Sequence, residues 1–189
     1  MEIVLIRHGQ TYGNINKEYS GFTDTMLTEL GKEQLHGLRE EKRYPDVEQY
    51  FTSPLTRCKD TLSIIYPSHT EFVEVEELKE FNFGIFEGKT HLELDGDDIY
   101  QQWINNFKEF EIPGGDSVDT FRQRVSKGVN VVLEVCAANA YGKVAVICHS
   151  GVIKAVLHHF FDNSKEFPHQ VENGLGYVIN VKTMEVYPL

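Results

Sequence analysis

Residues 3–11 read Ile3-Val4-Leu5-Ile6-Arg7-His8-Gly9-Gln10-Thr11, an apolar, β-rich run that stops abruptly at an arginine, a histidine and a glycine. Such a run predicts the first strand of an α/β sheet, over about 2–7. In open α/β sheets the ligand crevice lies beyond the carboxyl ends of the strands, so Arg7 and His8 fall where chemistry is done. A second run, Val144-Ala145-Val146-Ile147-Cys148, ends in another histidine, His149. Two histidines at two strand ends, with arginines nearby, suit the handling of a phosphoryl group.

Working outward, Thr28 opens an amphipathic helix that carries Leu30, Leu35 and Leu38 to about Arg43, and Pro45 ends it. Val47–Ser53 reads as the second strand. Pro54 suits the first turn of a helix that continues through Leu62 and Ile65 to Pro67. A third strand is expected over Glu71–Val75. Residues 80–115 are irregular and aromatic, with one helical stretch over about 91–107, and are expected to cap the substrate. Asp116 or Ser117 then caps a helix whose Val118, Phe121, Val125, Val129, Val132 and Cys136 recur at core-packing spacing. After the strand 143–148 come a helix over 151–161 and two late strands near 177–181 and 185–187. The alternation predicts one domain, 1–189, built as a three-layer α/β/α sandwich. Its central sheet is mostly parallel, with an antiparallel partner among the closely spaced last strands.

At 189 residues, 41% apolar and 25% charged, the chain has an ordinary globular balance. A net charge of −11 argues against nucleic acid and acidic membranes as partners, because both need a cationic surface. It also means that a site for an anion must gather its own positive charge, for which Arg7 and Arg57 are the candidates. Cys58, Cys136 and Cys148 form neither a metal-binding spacing nor an even disulfide set, which fits a reducing cytoplasm. No stretch approaches the roughly 20 apolar residues of a membrane span.

The residues that follow the predicted strands make a coherent chemical set. Arg7 and His8 come first, then Ser53 and Arg57, then Glu76, Glu77 and Glu80, then His149. Arginine's planar fork pairs with phosphate oxygens and stays charged. A neutral imidazole can attack phosphorus, and neighbouring arginines favour that neutral form. His8 is the candidate nucleophile, with a ring nitrogen donating to a backbone carbonyl near Gly9 to fix the tautomer. Glu80 is the candidate proton donor to the leaving alkoxide. Each residue also has a plainer reading. Asn14 could simply turn the chain, Ser53 could cap the helix at Pro54, and the acids around Glu80 could be solvated. His36, His69, His91, His158, His159 and His169 read as surface or packing residues. The aromatics Phe81, Phe83, Phe86, Tyr100, Trp103 and Phe107 are core, or else walls of a leaving-group pocket.

Arg7-His8-Gly9-Gln10-Thr11 with Asn14, Ser53-Pro54-Leu55-Thr56-Arg57 and Cys148-His149-Ser150-Gly151 resemble the signatures of the histidine phosphatase superfamily, in its order. Glu77–Gly88 resembles its acid-bearing segment and Pro113–Ser117 a later turn, with Phe86 and Asp116 where tryptophan and glutamate are common. The resemblance implies a phosphohistidine on His8, with Arg7, Asn14, Arg57 and His149 around the phosphoryl oxygens and Glu80 as proton donor. It implies no metal and no cofactor, and a small phosphorylated metabolite as substrate. Tyr19-Ser20-Gly21 and Trp103 look most like the α-ribazole phosphatase branch, which acts in cobalamin assembly. Mutases of the superfamily carry a longer insertion and a C-terminal tail that exclude water. A chain ending at Leu189, just after its last strand, is therefore expected to be a hydrolase. A phospho-ligand binder without catalysis is the alternative from outside enzymology. A cysteine hydrolase on Cys148 and His149 is disfavoured, because neighbours on a strand point to opposite faces.

Overall fold

The computed structural model describes residues 1–68, 71–161 and 171–189; His69 and His169 lie outside them. Its core is one sheet of six strands. They are β1 (Glu2–Arg7), β2 (Gln49–Thr52), β3 (Val73–Glu74), β4 (Lys143–Cys148), β5 (Gly176–Asn180) and β6 (Glu185–Pro188). Their order is β3-β2-β4-β1-β5-β6. β1 pairs in parallel with β4, and β2 in parallel with both β4 and β3. β5 runs antiparallel to β1 and to β6, which is the late antiparallel partner expected from the spacing.

The apolar runs are continuous because both faces of the central strands are covered. On one face Ile3, Leu5, Val144 and Val146 pack with Val125, Val129 and Val132 of α6 (Val118–Asn139) and Val152 and Val156 of α7 (Ser150–Phe161). On the other, Val4, Ile6, Ala145 and Ile147 pack with Leu35 of α2 (Glu29–Glu40) and Leu62 and Ile65 of α3 (Thr56–Ile65). The result is a three-layer α/β/α sandwich.

Local chemistry moves several expected boundaries. A five-residue helix, α1 (Tyr12–Asn16), follows the first motif; a reciprocal cap between Thr11 and Asn14 builds it, without apolar periodicity. α2 ends at Glu40 rather than near Arg43. β2 ends at Thr52, and α3 starts at Thr56, so Pro54 stands ahead of the helix and not in its first turn. β3 is only two residues long. The helix expected over 91–107 is two pieces, α4 (His91–Leu94) and α5 (Asp98–Asn105). Gly96 at φ +91° breaks it, and Asp97 caps α5 by accepting from the amides of Ile99 and Tyr100 at 2.9 Å each. Ser117 is the cap of α6. Among the described residues no helix is long and apolar enough to cross a membrane.

Candidate active site

Three parallel strands, β1, β4 and β2, end at one edge of the sheet. The antiparallel β5 begins there, so the segment 171–175 joins the same crevice. Backbone bonds fix the strand ends: His8 N–H donates to Cys148 O (3.0 Å), Ser53 N–H to Ile147 O (3.0 Å) and Gly174 N–H to Arg7 O (3.0 Å). His8, His149, Ser53, Arg7 and Arg57, far apart in sequence, are all buried at this edge.

The His8 Nδ1 lies 2.7 Å from the Gly9 carbonyl. A carbonyl can only accept, so Nδ1 carries the proton and Nε2 keeps its lone pair. Burial, with the charges of Arg57 and Arg7, holds the His8 imidazole well below its ordinary value, while the Gly9 bond opposes this slightly. The ring is therefore neutral. His149 stands edge-on to it, with ring centroids 5.2 Å apart. Its Nε2 lies 2.8 Å from the Ser53 Oγ and 3.6 Å from the Cys58 Sγ. Burial, Arg57 and His8 push His149 well down as well. Ser53 neither caps α3 nor leaves the site; it holds the second histidine.

Arg7 donates through Nη1 to the Val171 carbonyl at 2.5 Å, and its Nε is buried without a partner among the described residues. Arg57, 1% exposed, donates through Nη1 to Thr23 O (2.8 Å) and through Nη2 to Gly21 O (2.7 Å) and Ser20 O (3.4 Å). Asn14 is reached through Asn173, whose Nδ2 donates to both Asn14 Oδ1 (3.1 Å) and His8 O (3.0 Å). That side chain also accepts from the Thr11 amide at 3.1 Å, so Asn14 both turns the chain and borders the site.

Glu80 arrives from the opposite side. Its carboxylate accepts from the amides of Phe81 (3.0 Å) and, at the start of α7, Gly151 (3.0 Å). It acts electrostatically on both Arg7 and Lys154, a half-buried lysine one turn further along α7. Arg7, Arg57 and Lys154 thus bring positive charge to a crevice of a chain whose net charge is −11. Arg124 secures the acid-bearing segment by donating to the carbonyls of Glu77 (3.1 Å), Lys79 (2.7 Å) and Glu80 (3.0 Å) and pairing with Asp116 (2.7 Å). Beside Arg7 a cavity of about 800 Å³ opens between Gln10, Gln34 and Leu38 on one side and Val171 and Asn173 on the other.

The aromatic segment is mostly core. Phe81, Phe86, Tyr100 and Trp103 are buried, Tyr19 packs edge-on to Trp103 at 5.5 Å, and Tyr19 and Tyr100 share a hydroxyl contact of 2.5 Å. Phe107 is exposed. Burial raises the thiols of both Cys58, to about 12, and Cys148, so neither offers a thiolate. Among the described residues no three His, Cys, Asp or Glu side chains gather to hold a metal ion.

Reading residue types along the chain did not find Asn173, Asp24 or Glu87. Asp24 caps α3 from outside, accepting from Thr56 N at 2.7 Å, a pairing that only tertiary structure reveals. Thr61 is equally hidden: it accepts from Gly9 N at 2.9 Å and donates to Arg57 O at 2.7 Å, tying the two motifs together.

The sequence profile of the histidine phosphatase superfamily (branch 1) matches residues 3–185, and the chain belongs to that superfamily. Phosphatase is the enzyme class this defines. The chain is 29% identical over 160 residues to the adenosylcobalamin/alpha-ribazole phosphatase of Escherichia coli, covering 83% of this chain and 77% of that one. It is 29% identical over 178 residues to the 2,3-bisphosphoglycerate-dependent phosphoglycerate mutase 2 of Gloeobacter violaceus, covering 90% and 80%. The crystal structure of the alpha-ribazole phosphatase from Shigella flexneri shares the fold, with a TM-score of 0.84, 24% identity and coverage of 100% and 95%.

Proposed function

We propose that the protein is a metal-independent phosphomonoester hydrolase acting through a phosphohistidine on a small phosphorylated metabolite, with α-ribazole 5′-phosphate the leading substrate. One observation carries the chemistry: His8 is neutral, its proton is held on Nδ1 by the Gly9 carbonyl, and Nε2 is free beside two buried arginines. Nε2 attacks phosphorus and the P–O bond to the leaving alkoxide breaks. Glu80, in its acid form, gives that alkoxide its proton. Water then attacks the phosphorus bound to Nε2, Glu80 takes its proton, and the P–N bond breaks to release phosphate and restore the imidazole. Arg7, Arg57 and Asn14 bind the equatorial oxygens, where charge spreads in the transition state. A Ser53 hydroxyl donating to Nε2 of His149 leaves that ring's proton on Nδ1 as a further donor. Residues 80–115 form the capping side of the site.

The α-ribazole assignment is supported by the Escherichia coli relative. The similarity to a phosphoglycerate mutase favours a second reading, in which the phosphohistidine returns its group to substrate. Phosphate release in EDTA from α-ribazole 5′-phosphate, p-nitrophenyl phosphate and 3-phosphoglycerate tests both. Strong preference for the first supports the leading substrate. Comparable slow release from many esters means a generalist. Conversion of 3-phosphoglycerate to its isomer without net phosphate release supports the mutase. No turnover of any kind would leave the silent binder.

A further inference from the structure

Glu87 sits outside the chemistry assigned above, yet its carboxylate accepts from four backbone amides: Gly21 (3.2 Å), Phe22 (2.9 Å), Thr23 (2.9 Å) and Phe83 (2.9 Å). Three of those amides are consecutive, a concave row of N–H groups that suits an anion. The carbonyls of the same strap face the other way. Ser20, Gly21 and Thr23 offer their oxygens to the Arg57 guanidinium. The strap is thus held between an anion and a cation, with its peptide dipoles aligned from Glu87 to Arg57.

The strap also has nowhere else to go. A methyl group on Gly21 would lie 1.8 Å from the Phe81 carbonyl oxygen and 2.6 Å from Glu87 Oε1. At its far end Asp24 accepts from the amides of Thr56 and Arg57 and lies 3.6 Å from Arg57 Nη1. A guanidinium has five N–H donors, and the strap takes three bonds from Arg57, so the direction of the remaining donors depends on where the strap sits.

We propose that Glu87 is the positioning residue for Arg57, acting through residues 20–23 to aim the guanidinium at the phosphoryl group. This rests on the crevice being a phosphoryl site. It also links the two halves of the site, because the Phe83 amide ties Glu87 to the segment that bears Glu80.

The test is a double-mutant cycle of Glu87→Gln and Arg57→Ala, read as kcat/KM on p-nitrophenyl phosphate and as inhibition by inorganic phosphate, with melting temperature followed in parallel. The amide of Gln turns N–H groups toward N–H groups, so the strap shifts. Glu87→Gln is expected to lower kcat/KM about tenfold and weaken phosphate inhibition similarly, about 1.4 kcal/mol. In the Arg57→Ala background it is expected to do neither. The same factor in both backgrounds would overturn the proposal, since it would make Glu87 a general prop for the fold. If Arg57→Ala itself left turnover and phosphate binding intact, the phosphoryl reading would fail instead. Gly21→Ala, which displaces the strap with Glu87 in place, should repeat the non-additivity if Glu87→Gln does not fold; additivity there overturns the proposal equally.

Discussion

Gly151 and Glu80 fit together with no room to spare: the glycine amide donates to Glu80 Oε2 at 3.0 Å, and a methyl group on its α-carbon would lie 2.4 Å from Oε1. The absent side chain therefore sets where the Glu80 carboxylate, the proposed proton donor, stands. Gly151→Ala is expected to push the carboxylate away and lower kcat about 10²-fold, with little loss of phosphate affinity. Steady-state kinetics with phosphate as inhibitor would check it; an unchanged kcat would remove Glu80 from the mechanism.

The proposed nucleophile, His8, separates catalysis from binding. His8→Ala should cut turnover at least about 10⁴-fold while phosphate still binds the arginines. Rapid quenching of the wild-type enzyme should trap an acid-labile phosphoenzyme that the variant lacks. Full activity in the variant would exclude a phosphohistidine on His8.

Acid should destabilise the fold through its buried imidazoles. His8 and His149 are held well below their ordinary values, so below about pH 6.5 the unfolded chain binds protons that the native state refuses. Stability is then complete above that pH and falls as pH drops toward the native-state values, by up to about 1.4 kcal/mol per pH unit for each histidine. Denaturant midpoints between pH 7.5 and 5 would show the slope, and His149→Asn should reduce it. An equal slope in the variant would mean that His149 takes no part.

Ser53 is expected to matter chiefly through His149. Ser53→Ala leaves a buried ring nitrogen without its 2.8 Å partner, costing about 1–3 kcal/mol of stability. Losing the fixed orientation of the ring should lower kcat roughly tenfold. Measuring both together would show whether the hydroxyl serves the fold, the reaction, or both.

What the sequence could show divides along physical lines. β1, β4 and α6 were legible because burial on fixed faces imposes a pattern on consecutive residues. Arg7, His8 and His149 were legible because they stand at the ends of β1 and β4, and Arg57 because it lies in the first turn of the helix that follows β2. α1 was not, since a five-residue helix held by its own cap has no stripe to read. The break between α4 and α5 depended on one left-handed glycine, Gly96. Ser53 offered a hydroxyl that could cap α3, and the position was open until Asp24, 29 residues earlier in number, was seen to take that task. Glu87 looked like one solvated acid among several because its four partners are backbone amides, which carry no signature in the side-chain alphabet.

The reversal of β5 has a consequence for how activity arises. Because that strand starts where β1 ends, Asn173 meets the His8 carbonyl across 165 positions of chain. His8 thus precedes Asn173 by most of the described chain. A partly synthesised chain could already fold much of the sheet, but its crevice would be unfinished. Turnover therefore depends on the docking of Asn173 and β5 against β1, and a chain cut before Asn173 should be chemically silent.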